Sequence, residues 1–358
     1  MATARTAVPV AVTLQDVADR AGVSAATASR AFNGSKDRNV RAELRARVFA
    51  AAEELGYLAN PHAQAVARGR TDIVGLVIHD VSDPFFSSIA AGVIAEAERE
   101  GLIVTITSTS RDPGREIDHV VSLRQQKARA LVIAGSRTAD QEALKRLEAE
   151  LLAFEAGGGR AALISQRMLP VDTVTLENRS GAKALAVDLA GLGHQRFAVL
   201  STGSKLLTSR DRLAGFRDGL VRKGLHLDPD NVVHGEFTRE GGYAAMQELI
   251  IRRADVTCVF AVNDVMALGA AAALREHGLA VGKDVALAGF DDIPTVRDLS
   301  PALTTVRVAA EELGRLAIGL VLDEREDGPR VRKVHGEVVI RESTPSPTSG
   351  RSLSTALS

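Results

Sequence analysis

From Ile73 onward, short apolar runs alternate with helical stretches, and this alternation narrows the possible folds more than any other feature of the chain. IVGLVIH (73–79), LIVTITS (102–108), ALVIAG (130–135), AALIS (161–165), FAVLS (197–201), NVVHGEF (231–237), CVFAV (258–262) and VALAGF (285–290) are compact, mostly apolar runs. Runs of this kind suit strands buried on both faces of a sheet. Between them, Pro84–Gly101 reads as a helix with Asp83 as N-cap and Pro84 at its first position. Further helices are predicted near Asp118–Lys127, Arg179–Leu192, Arg210–Gly224 and Asp264–Gly278. Strand–helix alternation of this length implies a parallel α/β fold. About ten strands exceed one sheet of ordinary size, so two doubly wound lobes are expected.

A different pattern precedes Ile73. In TLQDVADRAGVSAATASRAFN (13–33), Thr13 is a good N-cap with Asp16 placed for a capping box. Leu14, Val17, Ala18 and Ala21 form one apolar stripe at helical spacing. Gly22 permits the positive φ of a sharp corner, and Ser24 caps a second helix. Val23, Ala28, Ala31 and Phe32 turn inward on this reading. Ser24, Ala25, Ala26, Thr27, Ser29, Arg30 and Asn33 stay outside. That face is small at its N-terminal end and carries hydroxyls, an amide and one Arg. A helix that enters a major groove needs close approach, phosphate donors and a fork for guanine. A third helix follows, with Leu44, Val48, Ala51 and Leu55 on one stripe. The pattern alone also fits an ordinary helical hairpin in a larger core.

The net charge of −1 conceals an uneven distribution. Residues 1–70 hold ten Lys and Arg against six Asp and Glu, a surplus of +4, and the remainder carries −5. A basic head on an acidic body fits a nucleic-acid module joined to something else. Hydrophobic residues make up 45% of the 358-residue chain, enough for a large core. No run approaches membrane-span length, and MATARTAVPVAV lacks the layout of a signal peptide, so a cytoplasmic, nucleoid-associated protein is expected. Cys258, the single cysteine, sits in a strand-like run and reads as a buried inert thiol.

These residues resemble the lactose-repressor (LacI/GalR) family of transcriptional regulators. In the head, Thr13-Leu14, Asp16-Val17-Ala18, Ala21-Gly22-Val23-Ser24, Thr27, Ser29-Arg30, Asn33, Glu54-Leu55-Gly56-Tyr57 and Asn60-Pro61 carry the likeness. In the body it is carried by GLVIHDVSDPFF, ENRSGAKALAVDLAGLGHQRFAVL, RLAGFRDGL, FAVNDVMALGAAAALREHGL, ALAGFDDIP and PALTTVRVAAEELG. The resemblance spans about residues 12–342. It implies an N-terminal three-helix helix–turn–helix head on a core similar to periplasmic sugar-binding proteins, with two Rossmann-like lobes. The expected division is a disordered 1–11, a DNA-binding domain at 12–58, a hinge at 59–70 and a core at 71–342. Within the core, lobe 1 takes about 71–175 plus 307–335 and lobe 2 about 176–306 plus 336–342. Ser343 to Ser358, STPSPTSGRSLSTALS, is rich in Ser, Thr and Pro, so a disordered tail is expected. It lacks leucine heptads, which leaves a homodimer rather than a tetramer.

The resemblance makes Ser24 to Arg30 the recognition helix, with Ala25 and Ala26 at specificity positions and Arg30 the candidate for a guanine. Leu14, Ser24, Thr27, Ser29 and Asn33 would mostly meet phosphates of a near-palindromic operator. In the hinge, Asn60, Ala63, Gln64 and Val66 are carried over, with Val66 as the minor-groove wedge where the family norm is leucine. A flexible linker remains the reading for the DNA-free state. For a small polar effector, expected to be a sugar or related metabolite, the resemblance gives His79, Asp83, Phe85, Gln166, Arg167, Arg212, Phe237, Asn263 and Asp291. Strand C-termini are where ligands sit in open α/β sheets; Asp83 also reads as a helix cap, Asn263 and Asp291 also fit caps and turns, and Arg212 with Asp291 is the pair favoured for the ligand. Gln166 stands where an acid is usual. No cofactor or metal is expected. A sugar receptor without gene control, or an enzyme on two such lobes, are the alternatives; the head speaks against the first, and no catalytic constellation supports the second. A repressor is the expected sense of control.

Overall fold

A computed structural model describes residues 12–33, 40–57, 70–203, 205–323, 328–347 and 352–357. The chain divides into two compact units, residues 1–72 and 73–358.

The first unit holds helices α1 (Leu14–Ala21), α2 (Ala25–Asn33) and α3 (Ala42–Leu55). Thr13 Oγ1 accepts the Asp16 backbone N–H at 3.3 Å, and the Asp16 carboxylate accepts the Thr13 N–H at 2.8 Å, which closes the capping box. Gly22 ends α1 at φ +64°, and Ser24 Oγ accepts the Thr27 N–H at 3.2 Å to start α2. The core is almost all small: Val17, Ala18, Ala21, Ala28, Ala31, Val48, Ala51 and Ala52 are buried. Small side chains bring the helix axes close, and Phe32 closes one end edge-on to Phe49 at 5.1 Å. Each buried methylene contributes about 0.8 kcal/mol, so so small a core leaves its helix caps with real weight.

The second unit contains two parallel sheets. The first has the order β11-β5-β4-β3-β1-β2, from β1 (Ile73–Ile78), β2 (Ile103–Ser108), β3 (Ala130–Ala134), β4 (Arg160–Ile164), β5 (Asp172–Leu176) and β11 (Val331–Val334). The second has the order β7-β6-β8-β9, from β6 (Phe197–Ser201), β7 (Val232–His234), β8 (Cys258–Ala261) and β9 (Ala286–Ala288). Central strands are buried along their full length, as their unbroken apolar runs require. The chain crosses between the sheets three times: after β5, after β9 through β10 (Thr305–Arg307), and back from β11 to β12 (Glu337–Val339). β10 and β12 pair antiparallel, so two of the crossings are tied to each other.

Asp83 caps the helix Pro84–Arg99 as its spelling predicts. The same Asp-Pro device at Asp112-Pro113 starts the next helix, Pro113–Gln125, earlier than the Asp118 expected from the apolar pattern. Among the described residues, four α-helices go beyond the predicted set: Gln141–Ala156, Arg239–Ile251, Ala310–Leu322 and the short Leu353–Ala356. The disordered tail expected from residue 343 is corrected where it is described. Ser343 and Thr344 are buried, and Ser343 Oγ accepts the Thr304 N–H at 2.7 Å and donates to Leu287 O at 2.6 Å. Leu353, fully buried in the short helix Leu353–Ala356, donates its N–H to Val256 O at 2.9 Å. The hydroxyls that looked like solvent-seeking composition instead satisfy backbone groups beside β9. The expected disordered 1–11 and hinge residues 59–69 lie outside the described residues, and with them Asn60, Ala63, Gln64 and Val66.

Candidate functional site

On the head, Ser24 and Ala26 are exposed, and Thr27, Ser29 and Arg30 are half-buried on the same helix. Ser24 Oγ and Thr27 Oγ1 lie 2.9 Å apart, and Arg30 Nε donates to Ala26 O at 2.9 Å, so the guanidinium folds back along the helix. Leu14 and Ala25 differ from the rest of the expected contact set. Both are half-buried and pack on the head's apolar core. Ala26 is therefore the more open of the two alanines. The Asn33 side chain lies outside the described set.

In the core, the C-terminal ends of strands from both sheets surround a cavity. Its walls include His79, Asp83, Phe85, Gln166, Arg212, Phe237 and Asp291, brought together from loops and helix starts far apart in the chain. Arg212, on the helix Leu207–Arg222, is 2% exposed. Its Nε donates to Asn178 Oδ1 at 2.8 Å, one terminal nitrogen donates to Val262 O at 2.7 Å, and the other donates to Asp291 Oδ1 at 2.8 Å. The guanidinium carbon sits 3.7 Å from the Phe290 ring centroid, a cation–π contact. Asp291 holds φ +121°, a strained conformation for a residue with a side chain, which turns its carboxyl toward the cavity after β9. Burial pushes that carboxyl up to about 7 against the pull of Arg212.

His79, just after β1, fills a slot left by Gly135, where a Cβ would lie 2.3 Å from the His79 ring. Burial, then the charges of Arg137 and Arg111, push its imidazole down to about 3, so it is neutral at physiological pH. Behind it, Arg137 donates two bonds to Glu116, at 2.8 and 2.7 Å, with both side chains buried. Arg111 pairs with Asp80 at 2.9 Å and lies 5.8 Å from the Phe237 ring centroid. The two lobes meet at the cavity lip. Gln166 Nε2 donates to Thr208 Oγ1 at 3.0 Å, Leu207 N donates to Arg137 O at 3.1 Å, and Thr208 N donates to Ser136 Oγ at 3.0 Å.

Two expected residues stand apart from these walls. Arg167 is exposed, because it leaves the sheet one residue beyond Gln166 and turns to solvent. Asn263 is 1% exposed, and its Oδ1 accepts the Met266 N–H at 3.0 Å to cap the helix Asp264–Glu276. Its Nδ2 is buried with no hydrogen-bond partner among the described residues. The wall residues that the sequence did not single out include Arg111, Ser136, Asn178 and Thr208. Arg111, Ser136 and Asn178 follow the C-terminal ends of β2, β3 and β5, where the strand-end rule points; Thr208, on the helix Leu207–Arg222, is placed by packing. Asp292, beside Asp291, is spent on structure: its carboxylate accepts Arg341 at 2.7 Å, Arg307 at 2.8 Å and Arg297 at 3.1 Å. Asp264, buried, accepts Thr305 Oγ1 at 2.7 Å and the Ile293 N–H at 3.0 Å, and burial pushes it up to about 6. Cys258 is buried, and burial pushes its thiol up, as expected of an inert group.

Known proteins resemble both units. Residues 13–60 match the bacterial regulatory proteins of the lacI family, and residues 186–344 match a periplasmic binding protein-like domain. The HTH-type transcriptional repressor CytR of Escherichia coli (strain K12) is 33% identical over 341 residues, covering 93% of this chain and 96% of that protein. The crystal structure of the lac repressor dimer bound to operator and the anti-inducer ONPF superposes with a TM-score of 0.77 at 26% identity, covering 94% of this chain and 99% of that one. A complex of the transcriptional regulator CelR with cellobiose gives a TM-score of 0.68 at 29% identity, covering 93% and 99%. Among the described residues, no helix is long and apolar enough to cross a membrane. The chain belongs to the lacI family of bacterial regulatory proteins and is a DNA-binding transcriptional regulator.

Proposed function

We propose that this regulator is a cytoplasmic homodimeric repressor whose operator affinity is set by a small sugar-class ligand held between the core lobes. The observation that carries this reading is the Arg212 network. A buried guanidinium joins Asn178, Val262 and Asp291 at the wall of a cavity that also offers aromatic faces at Phe85 and Phe237. Directed polar groups beside aromatic surface are what a sugar's hydroxyls and ring faces need. The neighbours add support, since CelR was solved with cellobiose. His79, Asp83, Gln166, Arg212 and Asp291 would bond the ligand, and Phe85 and Phe237 would stack on it. The Asn263 Nδ2 is a buried donor in reserve. Arg167 is left out of this set.

Each head would read one half of a near-palindromic operator, with Arg30 the candidate for a guanine fork and Ser24, Thr27 and Ser29 near phosphates. The ligand shifts DNA affinity only by its different affinity for the two lobe arrangements. The role is regulatory and not enzymatic. The test is a gel shift with operator fragments selected from random DNA, repeated with a panel of sugars. Sequence-selective binding that a sugar alters supports the proposal. Binding that no sugar changes refutes its ligand half, and failure to select any sequence refutes its DNA half.

A further inference from the structure

Helices of the core start in two ways. Pro84–Arg99, Pro113–Gln125, Gln141–Ala156, Arg239–Ile251 and Asp264–Glu276 cap themselves. The residue before each, Asp83, Asp112, Asp140, Thr238 or Asn263, accepts an N–H of the first turn with its own side chain. Leu207–Arg222 cannot do this. Its N-cap position holds Leu206, whose side chain has no acceptor. Asn178–Gly191 and Ala310–Leu322 also lack a side-chain cap. For Leu207–Arg222 the missing acceptors come from the opposite lobe. Leu207 N donates to Arg137 O at 3.1 Å, and Thr208 N donates to Ser136 Oγ at 3.0 Å.

These acceptors are held in place. Ser136 and Arg137 follow β3 of the first sheet. Ser136 Oγ donates its proton to Arg137 O at 3.1 Å, which leaves its lone pairs for Thr208. The Arg137 side chain is buried, tied to Glu116 by two bonds and to Ser165 Oγ at 3.0 Å. Its backbone N–H donates to Gln166 Oε1 at 2.8 Å, which orients the Gln166 amide so that Nε2 meets Thr208 Oγ1. One more bond crosses beside these, from Ala139 N to Lys205 O at 3.2 Å. A fixed carbonyl and a fixed hydroxyl oxygen thus face the positive end of a helix across the cleft.

We infer that the lobe of the first sheet serves as the N-cap of a helix in the other lobe, so that closing the cleft completes the helix carrying Arg212 and opening it uncaps that helix. Arg212 is the sixth residue of Leu207–Arg222, close to the borrowed cap. Opening hands the Leu207 and Thr208 N–H groups to water. Loss of a cap shifts such an equilibrium about fivefold, so the closed arrangement is favoured before any ligand enters. The inference concerns the lobes and holds whatever the ligand is.

The test is hydrogen–deuterium exchange of the full-length protein without ligand. It is read at the helix start (206–210), at the facing rim (136–140) and, as a control, in the helix interior (213–220). Ser136→Ala removes one lent acceptor. It should speed exchange about fivefold at both rims and leave the interior unchanged. Leu206→Ser gives the helix a cap of its own, which lowers the cost of opening. The facing rim should then exchange faster while the helix start does not, and adding Ser136→Ala should leave the helix start protected. Native-like melting by circular dichroism is the check on each variant, and Leu206→Asp replaces Leu206→Ser if the serine variant melts early. An unchanged helix start in Ser136→Ala overturns the inference. An effect of Ser136→Ala that is equal with and without the new cap also overturns it, because Ser136 would then act only within its own lobe.

Discussion

Replacing Arg212 with methionine isolates what the buried guanidinium contributes. Methionine keeps an unbranched apolar stem but removes every donor, together with the guanidinium that stacks on Phe290. Asn178 Oδ1, Val262 O and Asp291 Oδ1 then lose partners at 2.7–2.8 Å at the buried base of the cavity wall, where Arg212 itself is 2% exposed. Breaking a buried ion pair from one side costs about 3–5 kcal/mol. For a unit of this size that is a fall of about 10 °C in the melting temperature, read by circular dichroism. The loss should depend on pH with a definite sign. Asp291 titrates near 7, raised from its ordinary value, so its contribution to stability is greatest in acid and fades as pH rises through 7. Below 7 the carboxyl is protonated in both proteins, and the variant lacks only hydrogen bonds. Above 7 the native carboxylate keeps a cation while the variant's must either stay protonated or stand unpaired. The gap between the two melting curves should therefore widen between about pH 7 and pH 9. A gap that is constant or narrows over that range would refute the role assigned to the Arg212–Asp291 pair, and an unchanged melting temperature at pH 8 would refute the argument from burial.

Three further outcomes are expected. Thr13→Ala removes the capping box and should lower head stability by about 1 kcal/mol, seen as earlier loss of helix in urea with the core transition unmoved. Leu353→Ala should destabilise the core by about 2–5 kcal/mol in chemical denaturation, because the tail helix anchors a fully buried leucine; a free tail would show no change. Arg30→Ala should weaken binding to the selected operator by about 1–3 kcal/mol and relax one base position, with non-specific binding changed far less.

The local features of this molecule were legible because they depend on near neighbours. Thr13, Asp16, Gly22 and Ser24 spell out the head's caps and corner within twelve residues, and the structure follows them. Asp83-Pro84 marks a helix start by the same short-range chemistry. Asp112-Pro113 carries the same signal, yet the apolar period drew the expected start several residues late. Buried strands announced themselves as unbroken apolar runs, which leave a parallel sheet covered on both faces as the natural arrangement. The tail misled because Ser, Thr and Pro mark both disordered chain and edges stitched by hydroxyls. Composition does not say whether Ser343 faces water or the backbone of Leu287.

The sequence by itself determined the kind of parts: a helix–turn–helix head, a parallel two-lobe core, and a pool of polar residues at strand ends. Only the tertiary structure decided which of that pool share a wall. It set Arg212 between Asn178 and Asp291, spent Asp292 on three arginines, turned Arg167 to solvent and gave the Asn263 carbonyl oxygen to a helix start. Such pairings join residues tens to hundreds of positions apart, and their energy depends on burial and distance, neither of which a linear spacing encodes.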